Sequence, residues 1–326
     1  MPCGRGMTVT HKRILITGAT GCVGRRIVAR IAAQTPHEQV LVVRDPTRLE
    51  AWTRGHPRIT RVTADMRALG DFRAEIGAID AAVLAAAAWG GPEAFQLNLD
   101  ANRTAAALVA DGGRVIYFSS ASVLARNGAL LSAADALGTD YIRSKFQLVG
   151  AMEAMAERFD MVGLFPTLVI GGSGPETHSH FARLLIQAGR WAGLVRRLSA
   201  DGRFHFIHAE DIARIVTHLV DAPPGERAGT ERLVLGNPAM SVDDFVAAYC
   251  AHIGRPVGRR LRLRDWMAES AIRIFRIRLS PWDRYCMQHR ELDYEHAVTP
   301  ADFGIDPYCA SLSDALESIG IGRPKS

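Results

Sequence analysis

The stretch Arg13–Arg30, RILITGATGCVGRRIVAR, decides how this chain folds: a short apolar run breaks into glycines and then resumes at helical spacing. Ile14, Leu15 and Ile16 read as a buried strand. Gly18, Gly21 and Gly24 leave the backbone bare, and Val23, Ile27, Val28 and Ile31 give the following helix one apolar face. Such a strand–turn–helix aims N-terminal N–H groups and the positive end of the helix dipole at an anion. Two phosphates placed there meet unpaired donors, which is how a doubly wound sheet holds a dinucleotide. The expected contacts are Gly18, Thr20, Gly21, Cys22, Val23 and Gly24, with Cys22 a small filler and not a nucleophile. Taken alone, the G-x-x-G-x-x-G spacing also fits a bare βα turn.

Composition narrows the class. A chain of 326 residues that is 48% hydrophobic buries a large core, as one α/β domain with a smaller lobe or as two domains. Cys3, Cys22, Cys250, Cys286 and Cys309 have no C-x-x-C spacing, so neither a disulfide framework nor a zinc site is expected, and a reducing cytoplasm fits. No apolar run reaches the roughly 20 residues of a membrane span, and the first ten residues lack a signal-peptide core. Net charge is +5, and all but Lys12, Lys145 and Lys325 of the 39 basic residues are arginines. They are spread evenly, and the one dense cluster, Arg259 to Arg264, lacks interleaved aromatics, which argues against nucleic acid.

Strand and helix patterns alternate. Strands are expected at Val40–Val43, Ile59–Thr63, Ala81–Ala86, Val115–Phe118 and Met161–Leu164, with helices at Phe72–Ile76, Phe95–Val109 and Tyr141–Phe159. That order predicts an α/β fold: a Rossmann-type doubly wound parallel sheet over residues 11–170. Residues 171–326 are expected to form a small C-terminal substrate-binding lobe, returning to the core around 203–236. Within them lie a predicted amphipathic helix at Phe181–Leu198 and a turn at Pro223, Pro224 and Gly225.

Two constellations carry the chemistry. Arg44 is the first polar residue after the second strand, twenty residues beyond Gly24, where an acid would accept hydrogen bonds from a ribose. Arginine there offers a planar fork for a 2′-phosphate, with Arg48 adding charge, so NADP is expected over NAD; if the strand ran one residue further, Asp45 would invert that choice. The second constellation is Tyr141-Ile-Arg-Ser-Lys145, opening a long helix after the strand-end pair Ser119-Ser120. Tyr141 and Lys145 share a helix face. A lysine charge beside a phenol lowers its pKa toward neutrality, so Tyr141 serves as general acid/base, Ser120 holds the substrate oxygen, and Lys145 also reaches the ribose.

Taken together, the chain resembles the extended short-chain dehydrogenases/reductases of the NAD-dependent epimerase/dehydratase type. LAAAAWG resembles the family's HxAA strand end, NLDANRTAAAL its N-V-x-G-T helix, and IYFSSASVLA its SSxxVYG segment. LFPTLVIGGSGP and FIHAEDIAR resemble LRPxxVYGPG and FIHVDDVAR. The resemblance implies cofactor contacts at Asp65, Met66, Ala87, Ala88, Asn98, Pro166 and Thr167; on spacing alone Asp65 is equally a cap. Departures matter too. Leu124-Ala125 replace Tyr-Gly, Phe165 replaces an arginine, Ala85 replaces a histidine, and Ala121-Ser122 stand where sugar-nucleotide dehydratases carry an Asp-Glu pair, so 4,6-dehydration is not expected.

The resulting expectation is hydride transfer between a nicotinamide cofactor and a carbonyl/alcohol substrate. A sugar-nucleotide 4-epimerase using the same triad and a non-catalytic dinucleotide sensor are the alternatives. Trp89 either floors the substrate pocket or packs in the core, and Ser122 is a second substrate candidate. No metal is expected at His178/His180 or His205/His208, because neither pair gains a third ligand at suitable spacing. RLRLRDWMAESAIRIFRIRL is expected to pack as a lobe helix over the substrate cleft through Trp266, Met267, Ile274, Phe275 and Ile277, without vesicle binding or stable membrane insertion, the alternative being that it lies on a membrane surface. The face Gly150–Met155 suits either a homodimer contact or internal packing.

Overall fold

The apolar runs read above become strands of one parallel sheet in the computed structural model, which describes residues 11–222, 230–274 and 278–322. Cys3, the predicted turn at Pro223–Gly225, Phe275, Ile277 and Lys325 lie outside the described residues. The first six strands are β1 (Arg13–Thr17), β2 (Glu38–Val43), β3 (Ile59–Thr63), β4 (Ile79–Leu84), β5 (Val109–Phe118) and β6 (Asp160–Pro166). The sheet has eight strands, in the order 297–298, 231–235, β6, β5, β4, β1, β2, β3, so the winding reverses between β1 and β4. Ligand crevices of open α/β sheets form at such a reversal.

Alternation along the strands divides the core. Leu15, Val40, Val42, Leu84 and Tyr117 face one layer, which includes the helix Asp140–Glu153. Ile14, Ile16, Leu41, Val83 and Ile116 face the other, with α1 (Gly24–Gln34) and the helix Ala209–Asp221. Glu210 joins those two helices by ion pairs to Arg26 (3.2 Å) and Arg30 (2.8 Å). A third cluster, around Phe206, Phe245, Tyr249 and Leu316, forms the heart of the C-terminal part. Register places Thr17 beside both Val42 and Leu84, and Leu84 beside Tyr117. The turns after β1, β2, β4 and β5 therefore open at one edge.

Several expected elements come out differently. Strand β4 ends at Leu84, two residues before the expected Ala86. In place of one helix over 95–109 there is a turn at Glu93–Phe95, a π-helical stretch Gln96–Ala101 and an α-helix Asn102–Ala106, and Val109 already belongs to β5. Asn102 explains the irregularity: its amide donates to the carbonyls of Leu97 (3.0 Å) and Asn98 (3.1 Å) that the wider turn frees. The Tyr-Lys helix begins at Asp140, capped by Thr139, and stops at Glu153. The expected helix 181–198 divides into His180–Ala188, a 3₁₀ turn and Ala192–Val195, with Gly189 and Gly193 supplying weak helix formers at the break. Over the face Gly150–Met155, Met152 is fully buried and Met155 packs partly against the core, whereas Gly150 and Ala154 are exposed.

Of the residues expected to pack in the segment from Leu261, the structure describes the side chains of Trp266 and Met267. Its helix, Asp265–Ile274, contributes no described side chain to any core cluster, and Trp266 is 63% exposed. A two-residue strand, Leu261–Arg262, is its only sheet pairing among the described residues, too short to draw the helix onto the core.

Gly18 has φ +72°, and a Cβ there would lie 2.7 Å from Ala85 C and Ala86 N. Gly18→Ala is expected to cost about 2–3 kcal/mol. Urea unfolding that gives a midpoint equal to wild type would show that the turn does not need this close crossing.

Candidate active site

The β1 turn brings the start of α1 to the sheet edge with nothing blocking it. Val23 occupies the cap position and makes no side-chain cap hydrogen bond, and the first turn holds no acid. The N–H groups of Arg25, Arg26 and Ile27 already donate to Gly21 O (3.2 Å) and Val23 O (3.0 and 3.1 Å), whereas those of Cys22, Val23 and Gly24 make none of the described hydrogen bonds and are the donors an anion would meet. Gly21 N–H closes the turn on Gly18 O at 2.9 Å, and Arg25 holds Thr20 O at 3.0 Å and pairs with Glu50. Gly24 is needed for packing, since a Cβ there would lie 2.1 Å from Gly18 O. The half-buried Cys22 packs against Gly171, and burial pushes its thiol pKa up, so it is inert.

Arg44 follows directly on the last residue of β2, and both it and Arg48 are exposed. Asp45 is occupied elsewhere: its carboxylate accepts from Thr47 N–H (2.9 Å) and the Thr47 hydroxyl, capping a 3₁₀ turn. Asp65 does the same for the turn at Met66, accepting from Arg67 N–H (2.9 Å) and Arg67 Nη2 (2.6 Å), and that pairing holds its carboxyl down at about 2. This is the cap that spacing alone allowed. The Met66 side chain points into the core, 6% exposed.

Asn98 is fully buried and its amide is wholly engaged. It accepts from Ala88 N–H and donates to Ala88 O, both at 2.8 Å, and donates to Ser144 Oγ at 3.0 Å. Its effect on a ligand therefore passes through the Ala87–Ala88 backbone that it fixes. Pro166 ends β6, and Thr167 is tied by its N–H and hydroxyl to Leu235 O.

The strand-end serines have separate tasks. Ser119, 5% exposed, donates to Lys145 O at 3.0 Å and so anchors the helix. Ser120 Oγ accepts from Ser122 N–H at 3.3 Å, capping the Ala121–Val123 turn, and lies within hydrogen-bonding reach of the Tyr141 phenol. Lys145 is 1% exposed, and its Nζ donates to Phe118 O at 2.8 Å. Burial alone pushes its pKa down to about 7. Tyr141 moves the opposite way from expectation: burial outweighs the Ser120 hydrogen bond and raises the phenol to about 12. The Lys145 Nζ donates to the Phe118 carbonyl, and no interaction with its charge offsets the burial of the phenol.

Trp89 is not a core residue. It is 61% exposed, stacks on Tyr141 (ring centroids 4.8 Å apart, planes 17° apart) and meets His180 at 4.1 Å. His180 comes from the start of the helix after Ser179, and the sequence marked it only as half of a His178/His180 pair weighed for metal. Tyr294 is illegible from its neighbours, yet its hydroxyl donates to Ala121 O at 2.7 Å. His205 locks it there, giving Nδ1–H to Asn237 O and accepting Tyr294 N–H on Nε2. His208 caps the helix Ala209–Asp221 and is kept neutral by burial, its pKa near 3. Its ring, Asp211 and Cys309 form a buried group whose ligand atoms lie within 4.8 Å. Both Asp211 oxygens accept backbone N–H groups, from Tyr308 and Cys309, so the group serves as a structural clamp.

Lys145 titrates near 7 folded against its ordinary 10.5, so the unfolded chain binds the extra proton between those values. Its contribution to stability is complete above 10.5 and is lost as pH falls toward 7. Unfolding free energies at pH 7 and 9.5 should therefore rise by more than about 1 kcal/mol further in wild type than in Lys145→Met. Parallel profiles would mean the ammonium is not desolvated.

Comparison with known proteins agrees with this architecture. The chain is similar in structure to DesIV, a dTDP-glucose 4,6-dehydratase from Streptomyces venezuelae solved with NAD and TYD bound, with TM-score 0.64, 17% identity and coverage of 94% of this chain and 95% of that one. It is similar to the Bordetella bronchiseptica enzyme WbmG in complex with NAD and UDP, with TM-score 0.63, 17% identity and coverage of 97% and 98%. Helicobacter pylori ADP-L-glycero-D-manno-heptose-6-epimerase gives TM-score 0.58 at 18% identity, over 78% of this chain and 86% of that one. No curated protein matches in sequence. The model of the NAD dependent epimerase/dehydratase family matches residues 14–236, about two-thirds of the sequence, and on that extent the chain belongs to this family of enzymes.

Proposed function

We propose that the chain is an NAD(P)-dependent oxidoreductase that moves a hydride between the nicotinamide cofactor and a carbonyl/alcohol substrate. The observation that carries this reading is the Tyr141 phenol within reach of Ser120, one helical turn from the buried Lys145, at the edge where the uncapped start of α1 also opens. The N–H groups of Cys22, Val23 and Gly24, which make none of the described hydrogen bonds, the bare glycines and the absence of an acid in that first turn suit a dinucleotide diphosphate. When bound, the cofactor supplies the hydride.

The residues then divide the proton work. A phenol near 12 is fully protonated at neutral pH, which fits a general acid giving its proton to a carbonyl oxygen that is becoming an alkoxide. Ser120 orients that oxygen. Lys145, one helical turn away, keeps donors beyond the one it gives to Phe118 O, which suits it to hold a ribose hydroxyl. The turn at Ala121-Ser122 brings no carboxylate, which counts against dehydration. Four free cysteines among the described residues suit a reducing cytoplasm. Family membership favours one second reading, a sugar-nucleotide 4-epimerase with the same triad, which interconverts isomers without net cofactor consumption.

Tyr141→Phe is expected to keep cofactor affinity and lose at least about 100-fold in kcat with a carbonyl panel. Near-normal turnover would remove Tyr141 from the mechanism. For the cofactor, the finer reading is a preference for NADP(H). Arg44 sits free at the end of β2 while Asp45 is committed to Thr47, and a charge-assisted phosphate contact gives about 10- to 100-fold in affinity. Titrating both cofactors should find that Arg44→Ala loses NADP(H) affinity selectively. A wild type that prefers NAD(H), or an equal loss for both, would contradict the assignment.

A further inference from the structure

Two adjoining segments leave their largest apolar side chains in water. Along the helices His180–Ala188 and Ala192–Val195, Ala182, Leu185 and Ala192 are buried, whereas Leu184, Trp191 and Leu194 are 60%, 65% and 55% exposed. In the neighbouring segment Leu261 and Trp266 are 59% and 63% exposed. Parallel pairing of Leu261–Arg262 with Leu198–Ser199 sets the segments side by side. Leu261 N–H on Arg197 O (2.7 Å) and Arg196 on Pro256 O (3.3 Å) hold them there. With Ile186, these side chains are half of the twelve large apolar groups exposed among the described residues, although they come only from 184–194 and 261–266. Such a concentration marks an interaction surface and not ordinary scatter.

Charge selects the partner. Residues 183–197 carry four arginines and no acid, and residues 255–273 carry six arginines against Asp265 and Glu269. Arg260 and Arg262 are turned to Asp243 and Asp201, whereas Arg183, Arg190, Arg197, Arg259 and Arg264 stand exposed around the apolar groups. A second copy of the chain would set arginine against arginine. Indole rings and leucines ringed by arginines are instead the composition that settles at the headgroup level of an anionic bilayer. No described helix is long and apolar enough to cross a membrane, so the contact is peripheral.

We propose that this face docks the protein on anionic lipid, with Trp191, Leu194, Leu261 and Trp266 entering the interface and the surrounding arginines meeting lipid phosphates. It reverses the expectation from sequence, which assigned the apolar residues of the second segment to internal packing. The site's own helix links the two regions, because the His180 end of His180–Ala188 touches Trp89 over Tyr141.

Flotation of the full chain with vesicles tests this, comparing pure phosphatidylcholine with phosphatidylcholine containing about 30% phosphatidylglycerol. Binding is expected only to the anionic vesicles, weakening as salt rises. The double variant Trp191→Ser/Trp266→Ser, checked for an unchanged Tm, should lower partitioning about ten-fold or more. Arg190→Gln and Arg197→Gln should each lower it roughly five-fold. Absence of flotation, equal binding to neutral vesicles, or binding that the variants leave intact would overturn the proposal. So would a dimer, measured by light scattering, that the double tryptophan variant dissociates, since it would give this face to a second copy.

Discussion

The close passage of the β1 turn over the exit of β4 is the constraint on which the rest of the site depends. Gly18 lies against the Ala85–Ala86 peptide with no room for a side chain, and Gly24 lies as tightly against Gly18. That crossing starts α1 at the sheet edge, behind a turn whose Cys22, Val23 and Gly24 N–H groups make none of the described hydrogen bonds. It also fixes where the chain leaves β4, and hence where Ala88 and Trp89 stand. Asn98 carries the constraint onward, binding Ala88 on one side and Ser144 of the Tyr-Lys helix on the other. The glycine crossing and the Asn98 side chain together therefore position both the β1 turn and the Tyr-Lys helix.

Burial sets the electrostatics of that helix. A lysine with 1% exposure and a single carbonyl partner is costly to fold in its charged form, and its depressed pKa is the measure of that cost. Ser119 on the Lys145 carbonyl and Asn98 on Ser144 are the anchors that hold the helix in place despite it. The same dry environment raises Tyr141, so the two groups are driven apart, Lys145 falling from 10.5 to about 7 and Tyr141 rising from 10.0 to about 12. The pair is thereby biased toward a protonated phenol beside an amine that gives up its proton readily, a bias suited to reduction.

Much of this was legible in the sequence, for reasons that can be named. Alternating and continuous apolar runs located six strands, the inner ones because they are buried on both faces and the edge strand β3 by its β-branched residues alone, and the glycines of the first turn announced a backbone that side chains would obstruct. Arg44 was placed correctly after β2 because the strand's last apolar residue, Val43, marks its end. Local periodicity failed where a buried polar group overrides it: the π stretch around Asn98 reads as an ordinary helix until Asn102 is seen satisfying the freed carbonyls. It failed again at Trp266, whose helical pattern says nothing about whether a core lies opposite. The direction of the Tyr141 shift could not be read from i, i+4 spacing, because spacing does not say that Lys145 Nζ turns to Phe118 O. His180 and Tyr294 reach the site from distant segments, and nothing local marks either for that place.

The central claim is direct hydride transfer at Tyr141, and isotope transfer tests it most directly. The full chain is given nicotinamide cofactor deuterated on the reactive ring carbon together with a panel of carbonyl compounds, and the alcohol products are examined by mass spectrometry. The account predicts one deuterium on the former carbonyl carbon of at least one product, with net oxidation of cofactor. Cofactor that binds without delivering label to any carbonyl would contradict it.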